Sequence, residues 1–524
     1  MGQEKKKNNL KKFRIIIAIF FFLLVTLFFV DIYELIPNSF YKFFLSFQFF
    51  PSLLKIISSL SIFSLIGLTI VFIFTFLFGR VYCSFICPTG VLQDLIIRIS
   101  KKLKIKRKFK YSKESKVLRY LFFILFLLFI ISGTITLVGL FDPYSIYGRI
   151  SSNIFLPLIT NLNNGVNFVL EKFNYYGLRP ITYKTFVSYA FIVALVNFSV
   201  LLVFAIFSGR SYCNTICPVG TFLGLISRLS IYKIAINKNL CTSCGKCSVV
   251  CKSNCIDFKN KKVDFDRCVV CFNCFGVCDF NGIGFNKSIF RKVNIDVDSS
   301  INETKREFLL KSFVASGSLL LSSRLAKAIS YNNKNKILLN NIPIIPPGAS
   351  SIEHLNNYCT ACHLCVSICP TKVLQPSVLE MGLQGFLQPH LDYSKNYCHY
   401  ECNKCSQVCP TGAIRPISLE EKKLTQIGVV HFEMKRCIVY TDETSCGSCS
   451  EHCPTQAVTM VDYKDGLTIP KVIPDICIGC GACEYACPVR PIKAIYVVGN
   501  KIHNKAKPPK MDKPILNTTE DFPF

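Results

Sequence analysis

Long runs of apolar residues alternate with short polar segments over roughly the first two fifths of the chain. Each of four runs approaches the roughly 20 residues that a helix needs to cross a bilayer; they are Ile15–Val30, Leu60–Phe78, Tyr120–Leu140 and Phe186–Phe207. We therefore predict an α-helical membrane domain with four transmembrane helices over residues 1–230. Residues 31–59 are also apolar, but Pro37 and Pro51 interrupt them, so we expect this stretch to lie in the membrane interface.

Basic residues predict the orientation of these helices. Lysines and Arg14 precede the first run, and the basic segment Arg98–Arg119 separates the second run from the third. Because Lys and Arg concentrate on the cytoplasmic side, we place both segments in the cytoplasm and residues 141–184 outside. A cleaved signal peptide also begins this way, but no small-residue cleavage site follows the first run. The formal net charge of +29 over 524 residues reflects this bias, so we do not expect nucleic acid as a partner.

A short motif occurs twice in the membrane domain. Gly79–Gly90 reads GRVYCSFICPTG, and Gly209–Gly220 reads GRSYCNTICPVG. Each copy follows an apolar run that ends at the predicted cytoplasmic face, so the two halves should be parallel repeats. Their C-x3-C-P pairs would meet at one face: Cys83, Cys87, Cys213 and Cys217. These cysteines could be buried thiols, or two disulfides, which a reducing cytoplasm disfavours. Alternatively they share a cluster or metal ion, since cysteines four residues apart lie on one helix face.

Two cysteine runs then predict a ferredoxin-like domain at residues 231–285 with two [4Fe-4S] clusters. In such domains the fourth cysteine of each run ligates the neighbouring cluster. The first cluster would be held by Cys241, Cys244, Cys247 and Cys278, and the second by Cys251, Cys268, Cys271 and Cys274. Lys252 and Asp279 stand where proline is usual, and we interpret Cys255 as a bystander.

Four more runs, each closed by Cys-Pro, fill residues 351–500. They are Cys359, Cys362, Cys365 and Cys369; Cys398, Cys402, Cys405 and Cys409; Cys437, Cys446, Cys449 and Cys453; and Cys477, Cys480, Cys483 and Cys487. Four thiolates also suit zinc, but repeated runs of this kind are typical of clusters. Cys359–His363 matches the c-type haem motif as well, yet the ferredoxin spacing continues beyond it, so we interpret His363 as a bystander. In total, the six runs predict six [4Fe-4S] clusters in α+β ferredoxin-like domains.

Residues 286–350 join these two parts of the chain. Thr304–Lys311, followed by the weakly apolar Ser312–Ser323, resembles a twin-arginine export signal in which Lys305 replaces the first arginine. A short amphipathic linker is the alternative. Export would place the four-cluster domain in the periplasm of a bacterial inner-membrane protein. We expect Pro343–Gly348 to be a Pro-rich linker and residues 501–524 to be a disordered tail.

Residues 1 to about 280 resemble NapH, the membrane component of the quinol dehydrogenase that serves periplasmic nitrate reductase. The two Gly-Arg-x-Tyr-Cys-x3-Cys-Pro motifs and the two-cluster domain carry this resemblance. Residues 305–500 resemble NapG, its exported four-cluster ferredoxin partner, including the wide spacing from Cys437 to Cys446. The resemblance implies an electron-transfer component that oxidises quinol from the membrane pool and supplies a downstream reductase or cytochrome.

Resemblance to other four-cluster subunits further implies that the outer two runs exchange fourth ligands, as do the inner two. The implied groups are Cys487 with Cys359, Cys362 and Cys365; Cys369 with Cys477, Cys480 and Cys483; Cys453 with Cys398, Cys402 and Cys405; and Cys409 with Cys437, Cys446 and Cys449.

Quinol oxidation releases protons, so a carboxylate should lie near the head group. The candidates are Asp142, at the outer end of the third run, and Asp94, just after the first C-x3-C-P motif; either could instead be an ordinary helix-end or surface carboxylate. All histidines lie between His354 and His503, so the membrane domain cannot hold haem by paired histidines. A copper-handling assembly factor that uses the C-x3-C-P thiols is one rival function. A docking scaffold with structural clusters is another.

Overall fold

The structure is a computed structural model that describes residues 2–105, 109–181, 188–287, 342–378 and 380–508. The predicted export segment, Thr304–Ser323, lies outside these residues. Three parts are described below: a helical region (residues 2–230), a small cysteine-rich domain (231–287) and a large cysteine-rich domain (342–508).

The helical region contains long helices joined by very short ones. Its α-helices are α1 (Gly2–Val30), α2 (Asn38–Leu45), α3 (Phe49–Ser59), α4 (Ile62–Phe78), α5 (Tyr82–Phe85), α6 (Pro88–Lys102), α7 (Lys116–Ile131), α8 (Ile135–Gly139), α9 (Pro143–Ile150), α10 (Leu156–Glu171), α11 (Ser188–Ser208), α12 (Ser211–Thr215) and α13 (Pro218–Ser227). A π-helical turn, Ser151–Phe155, joins α9 to α10. Among the described residues, two stretches are long and apolar enough to cross a membrane, Asn9–Val30 and Tyr189–Ser208. Four transmembrane helices are therefore not confirmed.

The third apolar run is not one helix. α7 ends at Ile131, and α8 begins only at Ile135. Between them, the hydroxyls of Ser132 and Thr134 both donate to the carbonyl of Phe129, at 3.0 and 3.2 Å. Gly133 adopts a φ of 72°, the left-handed conformation that commonly ends a helix. The prediction of a continuous helix over 120–140 is wrong because local hydrogen bonds and a glycine stop it.

Two stretches that the sequence placed at the periphery are buried instead. Every residue of α9 is buried, although residues 141–184 were expected to be an external loop. Tyr41, Phe49 and Phe50, from the stretch expected in the membrane interface, also belong to the main core. Packing of aromatic rings explains part of this burial, since the ring centroids of Phe28 and Tyr41 are 4.5 Å apart.

The small domain contains two antiparallel strand pairs, as expected of a ferredoxin-like unit. β1 (Tyr232–Ile236) pairs antiparallel with β4 (Ile283–Lys287), and β2 (Ile256–Asp257) pairs with β3 (Lys262–Val263). The helix α14 (Lys246–Val249) and the 3₁₀ turn Phe275–Val277 complete it.

The large domain contains three antiparallel strand pairs. β5 (Leu374–Pro376) pairs with β6 (Pro389–Leu391), β7 (Thr425–Phe432) with β10 (Ile495–Lys505), and β8 (Val458–Asp462) with β9 (Thr468–Val472). Short helices lie at Ile352–Tyr358, Leu364–Ile368, Lys404–Val408, Leu419–Lys423, Ile438–Thr441, Ser448–Glu451 and Ala482–Ala486. The 3₁₀ turns are Leu383–Gly385, Met434–Arg436, Lys464–Gly466 and Pro474–Ile476.

The large domain extends beyond both of its predicted limits. Ile344 and Ile345 are buried in its core, and the carbonyl of Ile344 accepts a hydrogen bond from Leu391 N at 2.8 Å. Pro343–Gly348 is therefore part of the domain rather than a linker. At the other end, β10 runs to Lys505, past the limit predicted at residue 500.

The two cysteine-rich domains dock at opposite ends of the helical region. The small domain approaches the start of α1, where Arg14 lies within electrostatic range of Cys271. The large domain contacts the far end, where Lys404 forms an ion pair with Glu34, four residues beyond α1. Between Arg14 and the end of α1 at Val30, the helical rise amounts to about 25 Å. α1 therefore spans the distance between the two domains.

Replacing Gly139 should weaken docking of the large domain. A Cβ atom at Gly139 would lie 2.2 Å from the carbonyl oxygen of Thr360, so Gly139→Val must push the two parts away from each other. Overpacking of this kind costs roughly 1–3 kcal/mol. With a specific protease site engineered between residues 288 and 341, the cleaved large domain should stay with the helical region in the parent protein and dissociate in the variant.

Gly165→Val is the matched control for this experiment. Gly165 lies in α10, and a Cβ atom there would meet nothing within 4 Å. Equal retention of the fragment in both variants would show that the contact at Gly139 does not hold the domains together.

Candidate functional site

In the small domain, the cysteines form two groups of four, each called a cage below. Cys241, Cys244, Cys247 and Cys278 line one cavity. Cys251, Cys268, Cys271 and Cys274 line the other. Each cage combines three cysteines of one run with the fourth cysteine of the other run, which is the grouping expected from ligand exchange.

Cys255, which we interpreted as a bystander, lies directly beside the second cage. Its sulfur is 3.5 Å from that of Cys251, and it lines the same cavity. The Cys255 thiol donates to Cys251 and thereby lowers the pKa of the Cys251 thiol. Nothing in the sequence predicts this contact, because Cys255 falls outside the ferredoxin spacing.

The large domain contains four cages. Two of them line cavities: Cys437, Cys446, Cys449 and Cys487, and Cys453, Cys477, Cys480 and Cys483. The other two follow from thiols that lie within electrostatic range of one another: Cys359, Cys362, Cys365 and Cys409, and Cys369, Cys398, Cys402 and Cys405.

The expected exchange between the two outer runs, and between the two inner runs, is therefore wrong. Cys409 joins the first run and Cys487 joins the third, so exchange occurs between adjacent runs. The packing of short helices gives the reason. Leu364–Ile368 packs on Lys404–Val408, and Ser448–Glu451 packs on Ala482–Ala486. Each pair of consecutive runs thus folds as its own two-cage unit.

Four of the six runs share an unusual backbone path with left-handed residues. In each, the residues just before and just after the second cysteine have positive φ values; these residues are Ser243 and Gly245, Val270 and Phe272, Ala361 and His363, and Gly479 and Gly481. Non-glycine residues adopt this conformation rarely and at a cost. Runs with wider spacing take another path, since Asn403 and Gly447, which follow their second cysteines, have φ values of −125°. The recurrence of this conformation indicates a common ligand-binding loop.

Burial sets the charge of the cage thiols. Burial raises the pKa of Cys362 and of Cys480 to about 12, and neighbouring thiolates add to the effect. Without a metal, the buried cysteines therefore favour the neutral thiol. Iron would favour the thiolate instead, since the thiolate is the form that ligates a metal. Backbone N–H groups already point at some sulfurs, as at Cys409, which is 3.4 Å from Ile414 N. Such hydrogen bonds are among the features that tune cluster potentials.

The C-x3-C-P cysteines meet inside the helical region, and we call this group of four the cysteine core. Its members are Cys83, Cys87, Cys213 and Cys217, each at most 5% exposed. All four are free thiols, which excludes the two-disulfide alternative in this structure. Among the described residues, no three His, Cys, Asp or Glu side chains are grouped so as to hold a single metal ion.

Two buried arginines link the repeats reciprocally. Arg80 Nη2 of the first copy donates to Cys213 O of the second at 2.9 Å, and Arg210 Nη1 of the second donates to Cys83 O of the first at 2.7 Å. Gly90 makes this approach possible, because a Cβ atom there would lie 2.2 Å from Cys83 O. The contacts give the core approximate two-fold symmetry, in agreement with the repeat in the sequence.

The environment of Asp94 does not suit a proton acceptor. Its carboxylate forms ion pairs with three cations, Arg14, Arg210 and Lys252. Burial alone would raise the pKa of Asp94, but these cations hold it well below its usual range. Asp94 therefore fixes the core next to the small domain, and the predicted role in quinol deprotonation does not fit its surroundings.

Asp142 is buried at the start of α9, on the side of the large domain. Its Oδ2 accepts hydrogen bonds from Ser145 N at 2.8 Å and Ser145 Oγ at 2.7 Å, as helix N-caps do. Its Oδ1 has no hydrogen-bond partner among the described residues. Burial raises the pKa of Asp142 to about 6, although the Ser145 hydrogen bonds and Arg149 oppose the shift. This carboxyl can change protonation near neutral pH.

His363 contributes to docking, a role that the sequence did not reveal. Its Nε2 lies 3.1 Å from Leu387 O, which can only accept, so Nε2 donates there. Nδ1 then accepts from Asn153 Nδ2 at 3.1 Å, across the boundary with the helical region. The histidine of the C-x-x-C-H match thus joins two parts of the protein.

One continuous buried core connects these features. It contains the cysteine core, Val269 of the small domain, and Cys362 and Leu364 of the large domain. Arg149 lies within electrostatic range of both Tyr212, beside the cysteine core, and Cys362, in the first cage of the large domain. The cages at the two ends are therefore joined through packed protein.

Comparison with known protein families identifies iron–sulfur domain matches in four segments of the chain. Residues 60–106 and 190–238, which contain the two copies of the repeat, match the 4Fe-4S binding domain family. Residues 358–414 and 444–490 each match a 4Fe-4S dicluster domain family. The dicluster matches coincide with the two-cage units of the large domain. The chain thus contains several 4Fe-4S ferredoxin domains.

Individual relatives are distant and partial. YccM of Escherichia coli, named as an electron transport protein, is 25% identical over 206 residues, 39% of this chain and 50% of its own length. The methylamine utilization ferredoxin-type protein MauN of Paracoccus denitrificans is 27% identical over 190 residues, 36% of this chain and 54% of its own. The ferredoxin-type protein NapF of Escherichia coli is 28% identical over 157 residues, which make up 29% of this chain and 85% of NapF. The chain spans about half the length of YccM and MauN. No solved structure matches.

Paired cysteine replacements should distinguish the two ligand partitions. Cys362 and Cys409 lie in one cage, so Cys362→Ala/Cys409→Ala should lose one cubane, about four iron per chain. Cys362→Ala/Cys487→Ala removes ligands from two cages and should lose about eight. Anaerobic iron and sulfide analysis of both proteins measures the difference. The opposite order of losses would instead support exchange between the two outer runs and between the two inner runs.

Asp142→Asn should change the pH dependence of stability. Folding raises the pKa of this carboxyl from 3.8 to about 6. The protonated carboxyl therefore adds to the free energy of unfolding below pH 4, and this contribution is lost as the pH rises through 6. The Asn variant keeps the N-cap but does not ionise. The difference in free energy of unfolding between the variant and wild type should therefore shift in favour of the variant by roughly 1–3 kcal/mol as the pH rises from 4 to 7. Thermal unfolding in detergent measures this.

Asp462→Asn, at an exposed carboxylate at the end of β8, is the control for a general effect of charge. A pH profile of Asp142→Asn that parallels the wild-type profile would show that Asp142 does not titrate in this range.

Proposed function

We propose that this protein is a membrane-bound iron–sulfur electron-transfer protein, a component of a quinol dehydrogenase, that oxidises quinol and delivers electrons to a separate reductase. One observation carries the proposal: cysteine cages lie at both ends of the helical region, and one buried core containing four further cysteines connects them. A docking scaffold would not need cysteines distributed from the small domain through the helical region to the large domain. The ferredoxin-type relatives support electron transfer as the general function.

Six [4Fe-4S] clusters would occupy the six cages. When bound, each cubane accepts or donates one electron, so the two electrons of a quinol can be divided between two clusters. The protein supplies the thiolates, the N–H donors and the apolar surroundings that set the potentials. Asp142 holds or releases a proton beside the first cage of the large domain, at Cys362.

The cysteine core is a candidate for a seventh centre. Both copies of the repeat fall within matches to the 4Fe-4S binding domain family. The buried guanidinium groups of Arg80 and Arg210 lie beside the four thiols and would offset the negative charge of a thiolate-ligated centre. Copper chemistry at these thiols is the competing hypothesis, and soft thiolates suit Cu(I).

The arrangement also supports a fusion of the NapH and NapG types. The helical region and small domain would correspond to the membrane component, and the large domain to the exported ferredoxin. With the basic start of α1 in the cytoplasm, the large domain at the other end would lie in the periplasm. A periplasmic reductase or cytochrome is then the expected acceptor.

Quinol-driven reduction of the purified full chain tests this function. Menadiol, the reduced form of menadione, is added anaerobically. It should bleach the visible absorbance of the clusters in the wild-type protein. Cys213→Ser/Cys217→Ser should keep the six cages, about 24 iron per chain. Reduction of the small-domain clusters should become at least about tenfold slower, because the connecting core is lost.

Ile216→Val, in the same loop as the two replaced cysteines, is the matched control. A wild-type protein that dithionite bleaches but quinol does not would contradict quinol oxidation. Stoichiometric binding of Cu(I) at the core, without loss of iron in the double variant, would favour the metal-handling hypothesis instead.

A further inference from the structure

A cavity of about 450 Å³ lies where the large domain meets the helical region. The helical region lines it with the end of α1, the π-helical turn after α9 and residues of α10 and α11. The large domain lines it with the stretch from Val366 to Pro376. None of the carboxylates predicted from the sequence lines this cavity, since Asp94 and Asp142 both lie elsewhere.

We propose that this cavity binds the head group of the quinol. The inference deepens the proposed function and rests on it. Its first support is position. Val366, Ile368 and Pro370 line the cavity, and they flank or separate Cys365 and Cys369 in the chain. Those two cysteines belong to different cages, so a molecule in the cavity contacts the backbone that joins two cages.

The chemical character of the cavity is the second support. A quinol head group is a flat apolar ring with a hydroxyl at each of two opposite positions. Leu156, Phe191 and Pro376 provide apolar walls, while Thr160 and Gln375 provide hydrogen-bonding groups. The volume lies within the range of roughly 300–1,000 Å³ that is typical of small-molecule sites.

Carboxylates at the mouth of the cavity are the third support, because an oxidised quinol must lose two protons. Asp31 lines the cavity at the end of α1. Its two carboxylate oxygens accept hydrogen bonds from Leu35 N and Ile36 N, at 2.9 and 3.0 Å, which fix the side chain. Glu34 lines the same mouth and pairs with Lys404. Asp31 is placed to accept a proton and pass it to solvent.

Access from the membrane is the fourth support. On α10, Leu158 and Leu162 are 64% and 66% exposed, next to the lining residues Pro157 and Asn161. On α11, Ile192 is 57% exposed, next to the lining residue Phe191. Apolar, outward-facing helix surfaces thus adjoin the cavity, and a lipid-soluble molecule can reach it laterally.

Filling the cavity tests the proposal on the purified full chain in nanodiscs. A photoreactive azidoquinone is the probe, and mass spectrometry of labelled peptides is the primary readout. In wild type, label should appear in residues 152–161 or 366–376 and should be displaced by excess menadiol. Thr160→Trp, at a buried position in α10, should lower labelling at least about tenfold and slow menadiol-driven bleaching similarly. Iron content and bleaching by dithionite should not change.

Val169→Trp is the control, since it introduces the same side chain on the same helix at an exposed position away from the cavity lining. Thr160→Leu is a milder variant in case tryptophan prevents folding, and it should give a smaller loss in the same direction. Labelling elsewhere, or label in the cavity that menadiol does not displace, would overturn the site; the latter result would indicate a structural lipid.

The outcomes separate this site from the proposed function. If menadiol bleaches wild type and both Thr160 variants at the same rate, the cavity assignment is wrong and quinol oxidation stands. If menadiol fails to bleach wild type while dithionite succeeds, quinol oxidation and the site are both wrong.

Discussion

Two buried guanidinium groups, those of Arg80 and Arg210, hold the helical region together. Both side chains are fully buried, so each would carry a large desolvation penalty if it were unpaired. Each offsets that penalty by donating to a backbone carbonyl of the opposite repeat. Arg210 also reaches Asp94, which is in turn bound by Lys252 of the small domain. The same charges therefore fix the repeats to each other and the small domain to both.

This network has a chemical consequence for the cysteine core. Burial opposes ionisation of a thiol, and the sequence of the helical region contains no histidine that could serve as an alternative ligand. The arginines are permanently charged, so they favour an anionic centre at any physiological pH. A structure that needed only apolar packing would not retain two such cations, since well-packed apolar residues of similar volume are often at least as stable. The cost of burying them is understandable if the core carries negative charge.

The sequence predicts what is local and misses what is distant. Spacing within a run identifies three cysteines of a cage, because they share one loop. The fourth comes from a separate run, and the spacing is the same whichever run supplies it, so the assignment of Cys409 depended on resemblance and failed. Hydropathy averaged over 120–140 hid the hydrogen bonds of Ser132 and Thr134 that end α7. The burial of α9 was equally invisible, because its polar sequence is covered by α6 and α11, which are distant in the chain.

The same distinction applies to the carboxylates. A sequence shows that Asp142 and Asp31 follow apolar runs and that Asp94 follows the first C-x3-C-P motif, but it does not show which charges surround them. Three cations keep Asp94 ionised, whereas burial with few partners lets Asp142 titrate. Asp31 is distinguished by geometry alone, since it lines a cavity with walls from both the helical region and the large domain.

Docking of the large domain places this cavity about 25 Å along α1 from Arg14, close to the two-cage unit that contains Cys365 and Cys369. A quinol held there would deliver electrons to the large domain first. The small domain, at the opposite end, would then exchange electrons with it only through the cysteine core, which makes the core the point at which transfer between the two ends can be controlled.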